Sequence, residues 1–104
     1  MSQLQGRDQT QQLLPREQTI FRSILQMYED KKYKLGLKAC EQILKRVAQH
    51  GETLALKGLF THCLDRHEEG IELIKRGLKR DIASHICWHV LGLVLDLLIQ
   101  VHSS

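Results

Sequence analysis

The sequence predicts an all-α protein built from repeated helix–turn–helix hairpins, and three observations carry that reading. Apolar residues recur at three- and four-residue steps along most of the chain, the spacing that lines one face of a helix. The 104 residues are 42% hydrophobic and 26% charged but only 5% aromatic, with one proline, a composition poor for a β-sandwich. Finally, whole segments match one another at an offset of 34 residues.

In chain order, residues 1–14 (MSQLQGRDQTQQLL) are polar and Gln-rich, and a disordered lead-in is expected there. Residues 15–102 are then expected to form one array. Its first hairpin covers 15–50, its second 51–84, and 85–102 is the first helix of an incomplete third. Pro15 suits a first helical turn, where a missing N–H costs little. From there Ile20, Phe21, Ile24, Leu25 and Tyr28 form a stripe. After a polar Lys31-Lys32 turn, the next helix turns Leu37, Cys40, Ile43 and Leu44 inward.

The stretch GETLALKGLFTHCLDRHEEGIELIKRGLKR, from Gly51 to Arg80, is the most complete hairpin. Its first helix carries Leu54, Leu56, Leu59, Phe60, Cys63 and Leu64, and its second Ile71, Leu73, Ile74 and Leu78. Asp65-Arg66-His67 is a short turn that makes the two antiparallel. Gly58, Gly70 and Gly77 sit where facing backbones approach closely. Ser84 is placed to cap the last helix through its hydroxyl. That helix carries Trp88, Leu91, Val94, Leu95 and Leu98.

At the 34-residue offset Ile20, Leu54 and Trp88 align, as do Ile24, Gly58 and Gly92. Gly36 falls on Gly70, Leu37 on Ile71, Cys40 on Ile74, Leu44 on Leu78, and Lys45-Arg46 on Lys79-Arg80. A helix–turn–helix unit of that length is the tetratricopeptide (TPR) signature, and Trp88-x-x-Leu91-Gly92 matches its opening W-x-x-L-G. The expected architecture is a short right-handed α-solenoid packed through Ile20, Ile24, Leu54, Gly58, Gly70, Gly77, Trp88, Leu91 and Gly92. An array ending on a first helix should leave an apolar ridge exposed along residues 91–101, favouring self-association.

Chemistry is sparse. The three cysteines Cys40, Cys63 and Cys87 lie on or beside apolar faces, as expected for buried, reduced thiols. His85 and His89 share a helix face while Cys87 points elsewhere, so no metal set converges. No glycine-rich phosphate loop occurs, and no coenzyme site is recognisable. The expectation is a non-enzyme without cofactor or metal. No secretory signal opens the chain, and the apolar run 90–101 is too short to span a bilayer. The net charge of +3 gathers in two sets: Lys31, Lys32, Lys34, Lys38, Lys45 and Arg46, then Lys75, Arg76, Lys79 and Arg80. Either these are solvated faces with cations near helix C-termini, or they are an electrostatic footprint for an anionic partner such as RNA.

Over residues 14–93 the chain resembles the auxiliary (large, TPR-repeat) subunits of the N-terminal acetyltransferase A (NatA) complex, at their N-terminus. The resemblance rests on Leu14-Pro15, Phe21-Arg22, Gly36-Leu37-Lys38, and above all on HGETLA-x-KG (from His50) and SH-x-CWHV (from Ser84). It implies a cytoplasmic, non-catalytic scaffold that supports co-translational N-terminal acetylation by holding a catalytic subunit and the ribosome. Beyond Leu93, VLDLLIQVHSS stands where the family would have a charged turn and a second helix, so a truncated or spliced form is expected. A stand-alone repeat module that binds other proteins, without a role in acetylation, is the alternative.

Overall fold

A computed structural model describes residues 12–103, with side chains through Ile99, and every regular element among them is an α-helix. They are α1 (Pro15–Glu29), α2 (Tyr33–Arg46), α3 (Gly51–Cys63), α4 (His67–Arg80) and α5 (His85–Ser103). The expected all-α repeat fold is observed. Most of the lead-in proposed for 1–14 lies outside the described residues. Within it, Leu14 caps α1, and its N–H donates to Glu17 Oε1 at 2.8 Å.

The 34-residue period is written in the backbone itself. Lys31 (φ 61°) and Asp65 (φ 71°), one period apart, take the left-handed conformation that closes α1 and α3. Around each, the same reverse hydrogen bond forms, from Lys32 N–H to Met27 O (2.8 Å) and from Arg66 N–H to Thr61 O (3.1 Å), a glycine-free Schellman stop. The links between hairpins repeat as well. His50 N–H donates to Val47 O and Ser84 N–H to Asp81 O, each at 3.1 Å. Both residues then cap the next helix with a side chain, His50 Nδ1 accepting from Thr53 N–H and Ser84 Oγ from Cys87 N–H. Side-chain capping satisfies donors that the first helical turn leaves unpaired.

The third period breaks this pattern. One period after Asp65 stands Ile99, which lies inside α5. The helix therefore runs on where α1 and α3 turn back.

Helix α3 is the hub. The sequence suggests a helix with one apolar stripe, but ten of its thirteen residues are buried. The cause is its neighbours: α2 and α1 cover one side, and α4 and α5 the other. The core joins Ile24, Cys40 and Ile43 to Leu56, Leu59, Phe60, Ile74, Val90 and Val94.

Within the α3/α4 hairpin the backbones touch. A Cβ on Gly58 would run into the carbonyl oxygen of Gly70, and one on Gly77 would stand 2.5 Å from the carbonyl oxygen of Gly51. Each helix thus presents two glycines seven residues apart, paired antiparallel. Only hydrogen at Cα permits that approach.

Candidate interaction surfaces

The HGETLA-x-KG and SH-x-CWHV motifs turn out to be joined. In HGETLA, His50 caps α3, its Nδ1 also lies 2.7 Å from Thr53 Oγ1, and Phe21 packs edge-on against its ring at 5.9 Å. Burial holds the His50 imidazole below its usual pKa, which keeps it neutral. Glu52 of the same motif accepts from Ser84 Oγ at 2.8 Å. Ser84 opens SH-x-CWHV, so one hydroxyl caps α5 and ties it to the start of α3. Cys87 and Val90 of that motif are buried against the core. Both motifs are fasteners between successive hairpins.

The histidine and cysteine side chains are dispersed accordingly. His85 and His89 are exposed while Cys87 between them is buried. Among the described residues no group of three metal-ligating side chains converges. His62 and His67 do meet, with their Nδ1 atoms 2.9 Å apart across the α3/α4 turn. Burial pushes the Cys40 thiol up to about 12 and raises Cys63 and Cys87 too, the condition of an unreactive thiol. Cys63 is only half-buried, since it closes the outer end of α3.

All ten basic residues singled out, Lys31, Lys32, Lys34, Lys38, Lys45, Arg46, Lys75, Arg76, Lys79 and Arg80, are exposed. Lys75 leans to Glu72 at 3.8 Å, a surface pair of small consequence. Arg46 behaves differently. Its Nε and Nη2 grip both oxygens of Glu17 at 2.7 Å, and Nη2 also reaches the carbonyl of Gln12. This bidentate clamp staples the start of α1 to the end of α2, so the Arg46 guanidinium is engaged although the side chain stays partly exposed.

Arg46 holds the Glu17 carboxyl down from 4.5 to about 2. A depressed carboxylate adds stability that is complete above pH 4.5 and drains away as pH falls toward 2. Glu17→Gln should therefore lower Tm at pH 7 by on the order of 5 °C. Thermal melts followed from pH 7 to pH 2 should show that gap closing.

Two further surfaces stand out. A groove of 780 Å³ runs between α1, α3 and α5, lined by Leu25, Tyr28, Leu56, Leu59, Trp88 and Leu93. The other is the outer face of α5. Trp88 and Gly92, expected in the packing, are not covered there: Trp88 is 50% exposed and nothing lies within 4 Å of a Cβ on Gly92. Leu95 (49% exposed) and Ile99 (64%) continue that face, whereas Val94 and half-buried Leu91 turn to the core. The exposed ridge is thus rotated from the one expected along residues 91–101. Trp88 Nε1–H donates to Ile82 O at 2.7 Å, fixing the indole outward. The other packing residues lie within the array, with Ile24 and Leu54 buried and Ile20 and Leu91 half-buried.

No family profile matches the chain, but individual proteins do. Over 82 residues it is 54% identical to the N-terminal acetyltransferase A complex auxiliary subunit NAA15 of Arabidopsis thaliana, covering 79% of this chain and 9% of that protein. Over 84 residues it is 51% identical to the human N-alpha-acetyltransferase 16, NatA auxiliary subunit, covering 79% of this chain and 10% of that one. By sequence, the chain is similar to part of the NatA auxiliary subunits.

The fold agrees with that relationship. A chain in the structure of Naa15/Naa10 bound to HypK-THB superposes with a TM-score of 0.75 at 45% identity, over 79% of this chain and 12% of its own. The resemblance to NatA auxiliary subunits read from HGETLA-x-KG and SH-x-CWHV is borne out. The chain spans about a tenth of the length of these relatives. Among the described residues no helix is long and apolar enough to cross a membrane.

Proposed function

We propose that this chain is a non-catalytic scaffold segment of the NatA auxiliary-subunit type, acting in the cytoplasm in support of co-translational N-terminal acetylation. The observation that carries the reading is identity of about one half over four-fifths of the chain, joined to a matching fold. The internal geometry is consistent with it. The distinctive motifs are spent on capping and hairpin-to-hairpin ties, and the cysteines are held in unreactive states. What remains for function is surface: a basic side and an apolar groove.

On this reading the partners are an N-terminal acetyltransferase catalytic subunit and the ribosome. The exposed cations Lys75, Arg76, Lys79 and Arg80 on α4 are the ribosomal contact, with Lys31, Lys32, Lys34, Lys38 and Lys45 extending it. Contacts to phosphate weaken steeply with salt, because each neutralised phosphate releases a counterion. The test is co-sedimentation of the full chain with ribosomes at rising salt, beside affinity capture of the catalytic subunit. Reversing Lys75, Arg76, Lys79 and Arg80 to Glu should cut ribosome binding by about tenfold or more at low salt. Sedimentation that ignores both salt and these changes would remove the basic side from the account. Failure to recover either partner would favour a stand-alone protein-binding repeat module, for which the groove between α1, α3 and α5 is the supporting feature.

A further inference from the structure

The outer face of α5 has the form of a half-interface. In the preceding hairpin, Gly58 lets α4 lie directly on the α3 backbone. Gly92 is its counterpart one period later, and around it the space is open. Nor does the chain double back over it within the described residues, because α5 continues through Ile99, where α3 had turned.

The residues flanking Gly92 are sorted by chemistry. At 3.6 residues per turn, Trp88, Leu95 and Ile99 fall roughly 20–60° to one side of Gly92. His85, His89 and Asp96 fall about as far to the other side. The face therefore has an apolar edge and a polar edge with a bare backbone strip between them. All six flanking residues are exposed.

We propose that this face binds a second copy of the chain, α5 against α5, antiparallel across a two-fold axis at Gly92. The axis of an antiparallel pair keeps each edge on its own side. Trp88, Leu95 and Ile99 of the two copies then merge into one apolar strip. On the other side Asp96 of each copy comes opposite His89 of the other, whose ring N–H is a donor for the carboxylate. A parallel pair would set the apolar edge of one copy against the polar edge of the other, leaving Asp96 beside apolar side chains. Only the antiparallel arrangement is self-complementary in both polarity and charge, as a two-fold interface requires. The two glycines at the centre allow the same backbone approach as Gly58 and Gly70.

Sedimentation equilibrium of the full chain, with no partner added, tests this separately from the proposed scaffold role. The wild type should be dimeric at micromolar concentration. Gly92→Leu fills the open strip, its Cβ meeting no other helix within 4 Å, and Leu95→Glu charges the apolar edge. Each should raise the dimer dissociation constant more than about tenfold while the helical circular dichroism stays intact. His89→Glu alone places two carboxylates together and Asp96→Lys alone removes the acceptor for the His89 ring N–H, so each should weaken the dimer. Combined, they should restore it, because residues 89 and 96 meet only between antiparallel copies. A monomer at 100 micromolar, as a stated upper test of about 10⁻⁴ M, would overturn the proposal and leave the face to a helix of another protein. So would a dimer indifferent to Gly92→Leu, or a double variant no better than its singles.

Discussion

Gly58→Ala should destabilise the protein by about 3 kcal/mol, whereas Gly92→Ala, the same change one repeat later, should stabilise it by about 0.5–1 kcal/mol. The two glycines occupy equivalent places in equivalent helices, so helix propensity is the same for both and favours alanine at each. What differs is the neighbour. A methyl group on Gly58 would strike the Gly70 carbonyl oxygen and come within 2.8 Å of Ile74 Cγ1 and 3.0 Å of Ile74 N. Backbone on both sides cannot rotate away as a side chain would. The hairpin has to spread, and spreading loosens Leu59, Phe60 and Ile74 together. At Gly92 no atom stands in the way. For a domain of this size each kcal/mol moves Tm by roughly 4–8 °C, so the two variants should melt more than about 15 °C apart. Melts in a Leu95→Glu background, where association is weakened, would report this. Equal shifts at the two sites would mean that α3 and α4 do not touch through their glycines.

That contrast also marks how far the sequence could be read. The period of 34 was legible because each turn needs the same local solution, and local solutions leave local traces. Ser84 was recognisable as a cap, Lys31-Lys32 and Asp65-Arg66 as stops, and Pro15 as a first turn. Contacts between distant residues left no such trace. Nothing around Arg46 distinguishes it from Lys45, yet Arg46 clamps Glu17, 29 residues away, while Lys45 faces water. Trp88 was misplaced for a related reason. Its match to W-x-x-L-G tells where it stands in a repeat, but whether that position is covered depends on a helix beyond it. Helix α3 looked amphipathic because its Thr53, Thr61 and His62 count as polar. In the structure they are buried and hydrogen-bonded to backbone or to neighbouring side chains.

Phe60→Ala should cost about 3–5 kcal/mol, the largest effect of any single truncation in this chain, because Phe60 is the plug between the first hairpin and the second. Its side chain is fully buried, with Tyr28 and Tyr33 packed around it at ring separations of 6.4 and 6.3 Å. Gly36 forms the floor, since a Cβ there would penetrate the phenyl ring. The absence of a side chain on α2 and the large ring on α3 are thus one feature shared between two helices. Cutting the ring to a methyl leaves a cavity that the rigid helical backbones cannot close. Refilling it from the opposite wall should recover part of the loss. Gly36→Leu alone should also destabilise, because its side chain collides with Phe60, but Gly36→Leu with Phe60→Ala should be more stable than the sum of the singles by about 1–3 kcal/mol. Chemical denaturation of the four proteins in the cycle measures that coupling. An additive result would show that α2 and α3 are not in contact at this point, and the stacking of one hairpin on the next would then need a different seam.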